Sequence, residues 1–369
     1  MSPLKIIISG GGTGGHIYPA IAIADAIKEQ RPDTEFLFVG AKGKMEMTKV
    51  PEAGYKIEGL GITGIKRSLS FSNLLFPFKL LKSSWRARQI IKEFKPHAAV
   101  GTGGYASGPT LRAAAKAGVP TILQEQNALP GITNRLLGKK AERICVAYPG
   151  MEKYFDKNKI LLTGNPVRKK VVNIEGKREK ALQHFGQNPT LKTVLVVGGS
   201  LGSLNINNAL INNLETIKNN AGYLQMIWQT GEQTFTHVEK AVQKHKPQNV
   251  KVVKFINEMD LAYAAADLII SRAGAIAVSE ISLVQKPVIL VPFPFAAENH
   301  QKRNAEALQK RKAAEMIEDK DLNEKLLPEI QRLLQDDDLR AVMSRNIADI
   351  AVYDSADIIA NEVLKTAQP

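Results

Sequence analysis

Three glycine-rich loops, a histidine beside the first and a glutamate beyond a later strand carry the chemistry legible in this sequence. Gly10, Gly12 and Gly15 form G-x-G-x-x-G between the apolar run Ile6-Ile7-Ile8 and a helical pattern, the spacing of a dinucleotide site. Such a site needs an acid at the end of the next strand to hold ribose hydroxyls. Here Phe36 to Val39 runs into Gly40 and Ala41, so the dinucleotide reading fails its own check. What survives is physical: glycines let a helix N-terminus, with its unpaired N–H groups, come close to an anion or a sugar. His16 opens that helix, where the positive helix end disfavours the imidazolium and leaves a neutral ring able to accept a proton. A purely structural role at the helix start is equally compatible with the position.

Gly198-Gly199-Ser200-Leu201-Gly202 repeats the strand–glycine–helix pattern after Val194 to Val197. It also fits G-x-S-x-G, the nucleophile elbow of hydrolases, and His237, His245 and His300 lie downstream to complete a triad. A serine hydrolase using Ser200 is therefore a competing class, weakened because a hydrolase has one sheet. In the binding reading Ser200 gives its hydroxyl and N–H to a phosphate. The third loop, Gly101 to Pro109, follows a strand ending at Val100. Arg272-Ala273-Gly274 then opens a further helix, placing the N–H groups of Ala275, Ile276 and Ala277 for a diphosphate. Glu280 lies about one turn along, where a carboxylate can accept both hydroxyls of a ribose. Asp336 to Asp338 sit between helical patterns, away from every glycine loop, and read as a solvated turn. No Asp-x-Asp follows a strand, so neither a resident metal nor a cofactor is expected, and helix N-termini must neutralise a leaving diphosphate.

Positioning these loops requires two α/β domains. A strand emptying into glycines is expected over Leu4 to Gly15 and again over Thr193 to Gly202, with further strands near Glu35 to Val39, Ala98 to Val100 and Thr121 to Leu123 and near 224–228, 250–255, 268–270, 288–291 and 314–317, separated by helical patterns. The first long helix is expected from Ile17 to Gln30. Continuous apolar strands between helices mean parallel sheets covered on both faces. The expected division is residues 1–165 and 166–353, with a last helix over 354–369 returning to the first domain. Ile358, Ile359, Val363 and Leu364 form its apolar face, and Asp354 or Ser355 its cap.

The chain has 369 residues, 44% of them hydrophobic, and a formal charge of +14, which calls for an anionic partner. Residues 1–165 carry +12 and residues 166–369 only +2. Within 66–95, eight basic residues interleave with Phe71, Leu74, Leu75, Phe76, Phe78 and Trp85; Lys79, Lys82 and Arg86 are among the bases. Large apolar side chains beside Lys and Arg suit an anionic bilayer surface better than nucleic acid, and a core helix with a basic outer face is the plainer alternative. The single cysteine, Cys145, excludes an intrachain disulfide and reads as a core residue. No signal peptide or membrane-spanning run is apparent, which sets the expectation of a cytoplasmic, peripheral protein.

Taken in order, Gly11 to His16, Gly103-Gly104-Tyr105 through Pro109, Glu125-Gln126-Asn127, Gly164-Asn165-Pro166-Val167-Arg168, Gly198-Gly199-Ser200, Arg272 to Glu280 and Glu298 to Gln301 are similar to the motifs of the MurG family, peptidoglycan glycosyltransferases, over essentially the full chain. The resemblance implies an α/β GT-B fold: two facing Rossmann-like domains with parallel sheets and an interdomain cleft. It implies inverting transfer of N-acetylglucosamine from UDP-GlcNAc to the C4 hydroxyl of the muramyl sugar of lipid I, giving lipid II. An epimerase of the same fold is the remaining alternative. By resemblance, Thr13, Gly14, Gly15 and Asn127 meet the donor sugar, and Arg168 and Ser200 its diphosphate. Ile256 meets uracil through its backbone, Ala275, Ile276 and Ala277 the phosphate, Glu280 the ribose and Gln301 the sugar hydroxyls, with Val278 and Ser279 also in the UDP-GlcNAc site. His16 is the first choice of base, with Glu125 and Tyr105 as acceptor-side candidates. The same resemblance implies the cytoplasmic face of the bacterial inner membrane as location, and other cell-wall synthesis proteins as partners. Ala277 and Leu201 depart from the family, which often has threonine and glutamine there.

Overall fold

The computed structural model describes residues 3–62, 76–199, 201–296 and 299–367. Phe71, Leu74, Leu75 and Ser200 lie outside them, as does the side chain of Phe76. The chain divides into two compact units, residues 1–168 with 354–369, and residues 169–353.

In the first unit β1 (Lys5–Gly10), β2 (Glu35–Ala41), β3 (Ile57–Leu60), β4 (Ala98–Gly103), β5 (Thr121–Glu125), β6 (Arg143–Val146) and β7 (Ile160–Leu162) form one sheet in the order β3-β2-β1-β4-β5-β6-β7. Every pairing is parallel. Ile6, Ile8, Phe38, Val100 and Ile122 point to one face and Ile7, Val39, Ala99 and Leu123 to the other, so the period-two alternation fills an apolar layer on each side. Cys145 is fully buried on β6, and burial pushes its thiol up to about 12. The sequence pattern does not single out β3, β6 and β7, because three or four residues are too few to show a period.

The first long helix begins at Gly14, three residues before the expected start. Extended Thr13 accepts from the N–H groups of His16 and Ile17 at 3.1 and 3.2 Å, so the glycines and the histidine are its first turn. Its buried residues, Ile17, Ala20, Ile21, Ile23, Ala24, Ala26 and Ile27, run nearly all round it, and such a helix must be covered on both sides. The sheet covers one side. Helix Ser355–Thr366 covers the other with Ile359, Ala360 and Val363, and Arg143 on β6 grips Glu362 at 2.7 Å. Asp354 occupies the cap position without a capping bond, and Ile358 faces outward at 36% exposure.

In the second unit β8 (Lys192–Val197), β9 (Leu224–Gln229), β10 (Val250–Val253), β11 (Leu268–Ser271), β12 (Val288–Leu290) and β13 (Glu315–Met316) form a parallel sheet in the order β10-β9-β8-β11-β12-β13. The last strand is shorter than the expected 314–317. Asp336 caps helix Asp337–Ala348 by accepting from the N–H of Leu339 at 2.8 Å. In both sheets the strand order reverses once, between β1 and β4 and between β8 and β11. Wound sheets bind ligands at the carboxyl ends of strands beside such a reversal.

Candidate functional site

Two glycine loops meet at the reversal in the first sheet. Gly11 donates its N–H to the carbonyl of Gly103 at 3.3 Å, and Thr102 gives its hydroxyl to the carbonyl of His16 at 2.8 Å. The approach is close enough that a Cβ on Gly104 would overlap the Gly11 carbonyl, and one on Gly103 would stand 2.8 Å from Cδ2 of His16. His16 Nδ1 lies 3.0 Å from the carbonyl oxygen of Gly11. A carbonyl only accepts, so Nδ1 carries a proton and, in the neutral ring, Nε2 carries the lone pair. This is the tautomer in which Nε2 can accept a proton.

Glu46, fully buried, folds back beneath the first loop: Oε2 accepts from Gly12 N–H at 2.9 Å and Oε1 from Ala41 N–H at 2.9 Å. The amide that a dinucleotide's diphosphate would need is thus already bonded to a carboxyl group. The structure thus adds a second obstacle to the dinucleotide reading, one no sequence spacing revealed.

Glu125 ends β5, is 2% exposed, and accepts from Asn127 N, Asn127 Nδ2, Gly131 N and Asn134 Nδ2 at 2.9 to 3.4 Å. Burial holds its carboxyl above the usual glutamate value even though all four bonds pull the other way. The carboxylate organises the loop that presents half-buried Asn127; Tyr105, by contrast, is 48% exposed. Below them Gln126 donates to the Thr102 carbonyl at 2.7 Å, Gln124 to Asn165 at 3.2 Å and Asn165 to the Gln126 carbonyl at 3.2 Å. This buried amide chain ties the third glycine loop to the Gly164-Asn165-Pro166 turn. Arg168, after that turn, stacks its guanidinium 4.3 Å from the Tyr18 ring, and its Nε is buried with no hydrogen-bond partner among the described residues.

The second unit has the same plan. A Cβ on Gly202 would overlap the Thr230 carbonyl, so the loop after β8 rests on the loop after β9. Buried Gln229 links them: Nε2 donates to the Gly199 carbonyl at 3.0 Å, while Oε1 accepts from Ile256 N–H at 3.0 Å. That N–H is therefore committed within the protein. Helix Ala275–Val284 starts after Gly274, which is extended and gives no side-chain cap; no acid occupies the first turn. Ala275, Ile276 and Ala277 thus supply N–H groups with no intrahelical partner. Val278 is buried, and Ser279 turns its hydroxyl back to the Ala275 carbonyl at 3.0 Å. Half-buried Glu280 accepts from the hydroxyl of Tyr263 at 2.8 Å. Arg272 is a brace: it bonds Ser203 at 2.6 Å, Asp319 at 2.5 Å and the carbonyls of Val291 and Pro292. Gln301 accepts from Phe293 N–H at 2.9 Å, leaving its amide nitrogen to donate.

Residues 6–146 match the glycosyltransferase family 28 N-terminal domain and residues 193–359 its C-terminal domain. The chain belongs to glycosyltransferase family 28. A relative from Phocaeicola vulgatus is 54% identical over 99% of this chain and 96% of its own, and one from Bacteroides fragilis is 52% identical over the same shares. Both are called UDP-N-acetylglucosamine–N-acetylmuramyl-(pentapeptide) pyrophosphoryl-undecaprenol N-acetylglucosamine transferase. The crystal structure of Acinetobacter baumannii MurG superposes with a TM-score of 0.73 at 26% identity, covering 98% of this chain and 99% of that one. The two wound sheets of this family 28 glycosyltransferase are of the GT-B class.

On helix Phe76–Phe94 of the first unit, Phe78, Leu81 and Trp85 are 71%, 68% and 60% exposed on one face with Lys82 beside them. Lys79 is half-buried. Arg86, also expected at this surface, is bonded to Glu58 of β3 at 2.7 Å.

Proposed function

We propose that the protein transfers N-acetylglucosamine from UDP-GlcNAc to the C4 hydroxyl of the muramyl sugar of lipid I, forming the β-1,4 linkage of lipid II. Identity of 54% over almost the whole length with a transferase of that name is the observation that carries this reading. The residues supply a matching chemistry. In the second unit the uncapped N-terminus of helix Ala275–Val284 receives the diphosphate, Glu280 the ribose hydroxyls, and the Ile256 carbonyl the N–H of uracil. Gln301 turns its amide to the sugar hydroxyls, and Ser200 belongs to the phosphate loop. In the first unit Thr13, Gly14, Gly15 and Asn127 meet the sugar, and the unsatisfied Nε of Arg168 suits a phosphate oxygen.

Nε2 of His16 takes the proton of the C4 hydroxyl as that oxygen attacks the anomeric carbon in line. The bond to the UDP oxygen breaks with inversion, and the helix N–H groups and dipole stabilise the charge on the departing diphosphate. Glu125, saturated by its own loop, shapes the site rather than taking the proton, and exposed Tyr105 contacts the acceptor. The hydrolase and epimerase alternatives are not favoured: each unit holds its own sheet, and the near-full-length relatives named above are transferases.

The Phe78, Leu81 and Trp85 face, with Lys82 and the +12 charge of residues 1–165, docks on the anionic cytoplasmic leaflet where a lipid-linked acceptor resides. Among the described residues no helix is long and apolar enough to cross a membrane.

The reaction is tested by incubating the protein with UDP-GlcNAc and a short-chain lipid I analogue and following UDP, with and without EDTA. UDP release that depends on the acceptor and survives EDTA is expected; release without acceptor overturns the transferase reading.

A further inference from the structure

The peptide joining Gly11 to Gly12 is hydrogen-bonded at both ends. Its carbonyl accepts from Nδ1 of His16 at 3.0 Å, and its N–H donates to Oε2 of Glu46 at 2.9 Å. We infer that Glu46 is a positioning residue for His16, acting through this one peptide. The inference rests on His16 being the base.

A carboxylate accepting an amide N–H polarises that amide, and its carbonyl becomes a stronger acceptor. The stronger acceptor holds the proton on Nδ1, keeps the lone pair on Nε2, and stabilises the imidazolium that forms when Nε2 takes a proton. Carboxylates bonded directly to histidine do the same in other enzymes. Here a peptide stands between them.

The surroundings hold the peptide in register. Oε1 of Glu46 is anchored to Ala41 N–H at the end of β2, and Gly11 N–H is anchored to Gly103 on β4. A Cβ on Gly11 would overlap the Glu46 carboxyl, so the two groups are in contact with nothing between them. Simple loop closure would need only a neutral acceptor for two N–H groups.

The test combines spectroscopy with kinetics on the full chain. Long-range 1H–15N spectra of protein labelled at its six histidines, with His16 assigned by loss of its signals in His16→Ala, should show His16 protonated at Nδ1. Glu46→Gln keeps the shape and one acceptor; it should move His16 toward the Nε2-protonated tautomer and lower kcat on the order of tenfold, with the donor KM unchanged. If Glu46→Gln does not fold, the wild-type spectrum still decides, because an Nε2-protonated His16 there overturns the inference. Unchanged tautomer and kcat in Glu46→Gln, with His16→Ala impaired, overturn the relay and leave the base in place. Wild-type kcat in His16→Ala removes the base itself, and with it the reading on which the relay rests.

Discussion

Tyr263 donates its hydroxyl to Oε2 of Glu280 at 2.8 Å from a side chain only 3% exposed, so the carboxylate has a fixed direction before any ligand arrives. A carboxylate bonded at one oxygen by a buried phenol has less freedom to lose when it accepts ribose hydroxyls. Glu280→Ala should raise the donor KM by an amount on the order of 2 kcal/mol, the loss of charge-assisted bonds. Tyr263→Phe should raise it by about 1 kcal/mol, and the double variant should be no worse than Glu280→Ala, because the phenol reaches the donor through the carboxylate it bonds. Donor kinetics of the three variants check this; additive effects would separate the two residues.

Gln229 bridges Gly199 and Ile256, two backbone segments that meet the donor in the proposed reading. Replacing it by leucine leaves a part-buried carbonyl and a buried N–H unpaired, costing roughly 1–3 kcal/mol each at most. A lowered urea midpoint together with a raised donor KM is expected, whereas a fall in stability alone would confine Gln229 to folding.

Burial keeps the Glu125 carboxyl above the ordinary glutamate value, so the folded protein holds this proton to higher pH than the unfolded chain. The native state then binds more protons between the two values, and unfolding free energy falls as pH rises there. The contribution is fully present below the unfolded value and is lost as pH climbs through the folded one. Glu125→Gln cannot titrate. The stability difference between wild type and variant, from urea titrations at a series of pH values, should therefore decline with rising pH; a difference independent of pH would show that Glu125 titrates alike in both states.

Phe78 and Trp85 lie seven residues apart on the exposed face of helix Phe76–Phe94. Full burial of one such side chain stabilises by about 1.5–3 kcal/mol, so replacing both by serine should cut co-sedimentation with anionic vesicles at least tenfold. UDP-GlcNAc binding should be unaffected. Equal binding of the wild type to neutral and anionic vesicles would remove the electrostatic part.

Much of the site was legible because its parts are local. The glycine loops, His16 after the first of them and the helix start at Gly274 each depend on neighbours within a few residues, and a strand running into glycine and then a helix has few other conformations. The same locality made the parallel sheets readable from apolar runs between helices. The partner of Arg86 escaped notice for the complementary reason: Glu58 sits 28 positions away on β3.

The residues that hold the site rigid are the ones sequence could not find. Glu46 reaches the first loop across 34 positions, Gln229 reaches Ile256 across 27, and Tyr263 reaches Glu280 across 17. Each looks ordinary in its own segment, a helix acid, a strand amide and a core aromatic. By itself the sequence determined which backbone N–H groups and side chains could do chemistry, since residue type and short-range spacing suffice for that. Tertiary structure alone decided which of those groups are already bonded within the protein and which are left for a ligand, because a hydrogen bond depends on distance in space and the chain between its ends carries no record of it.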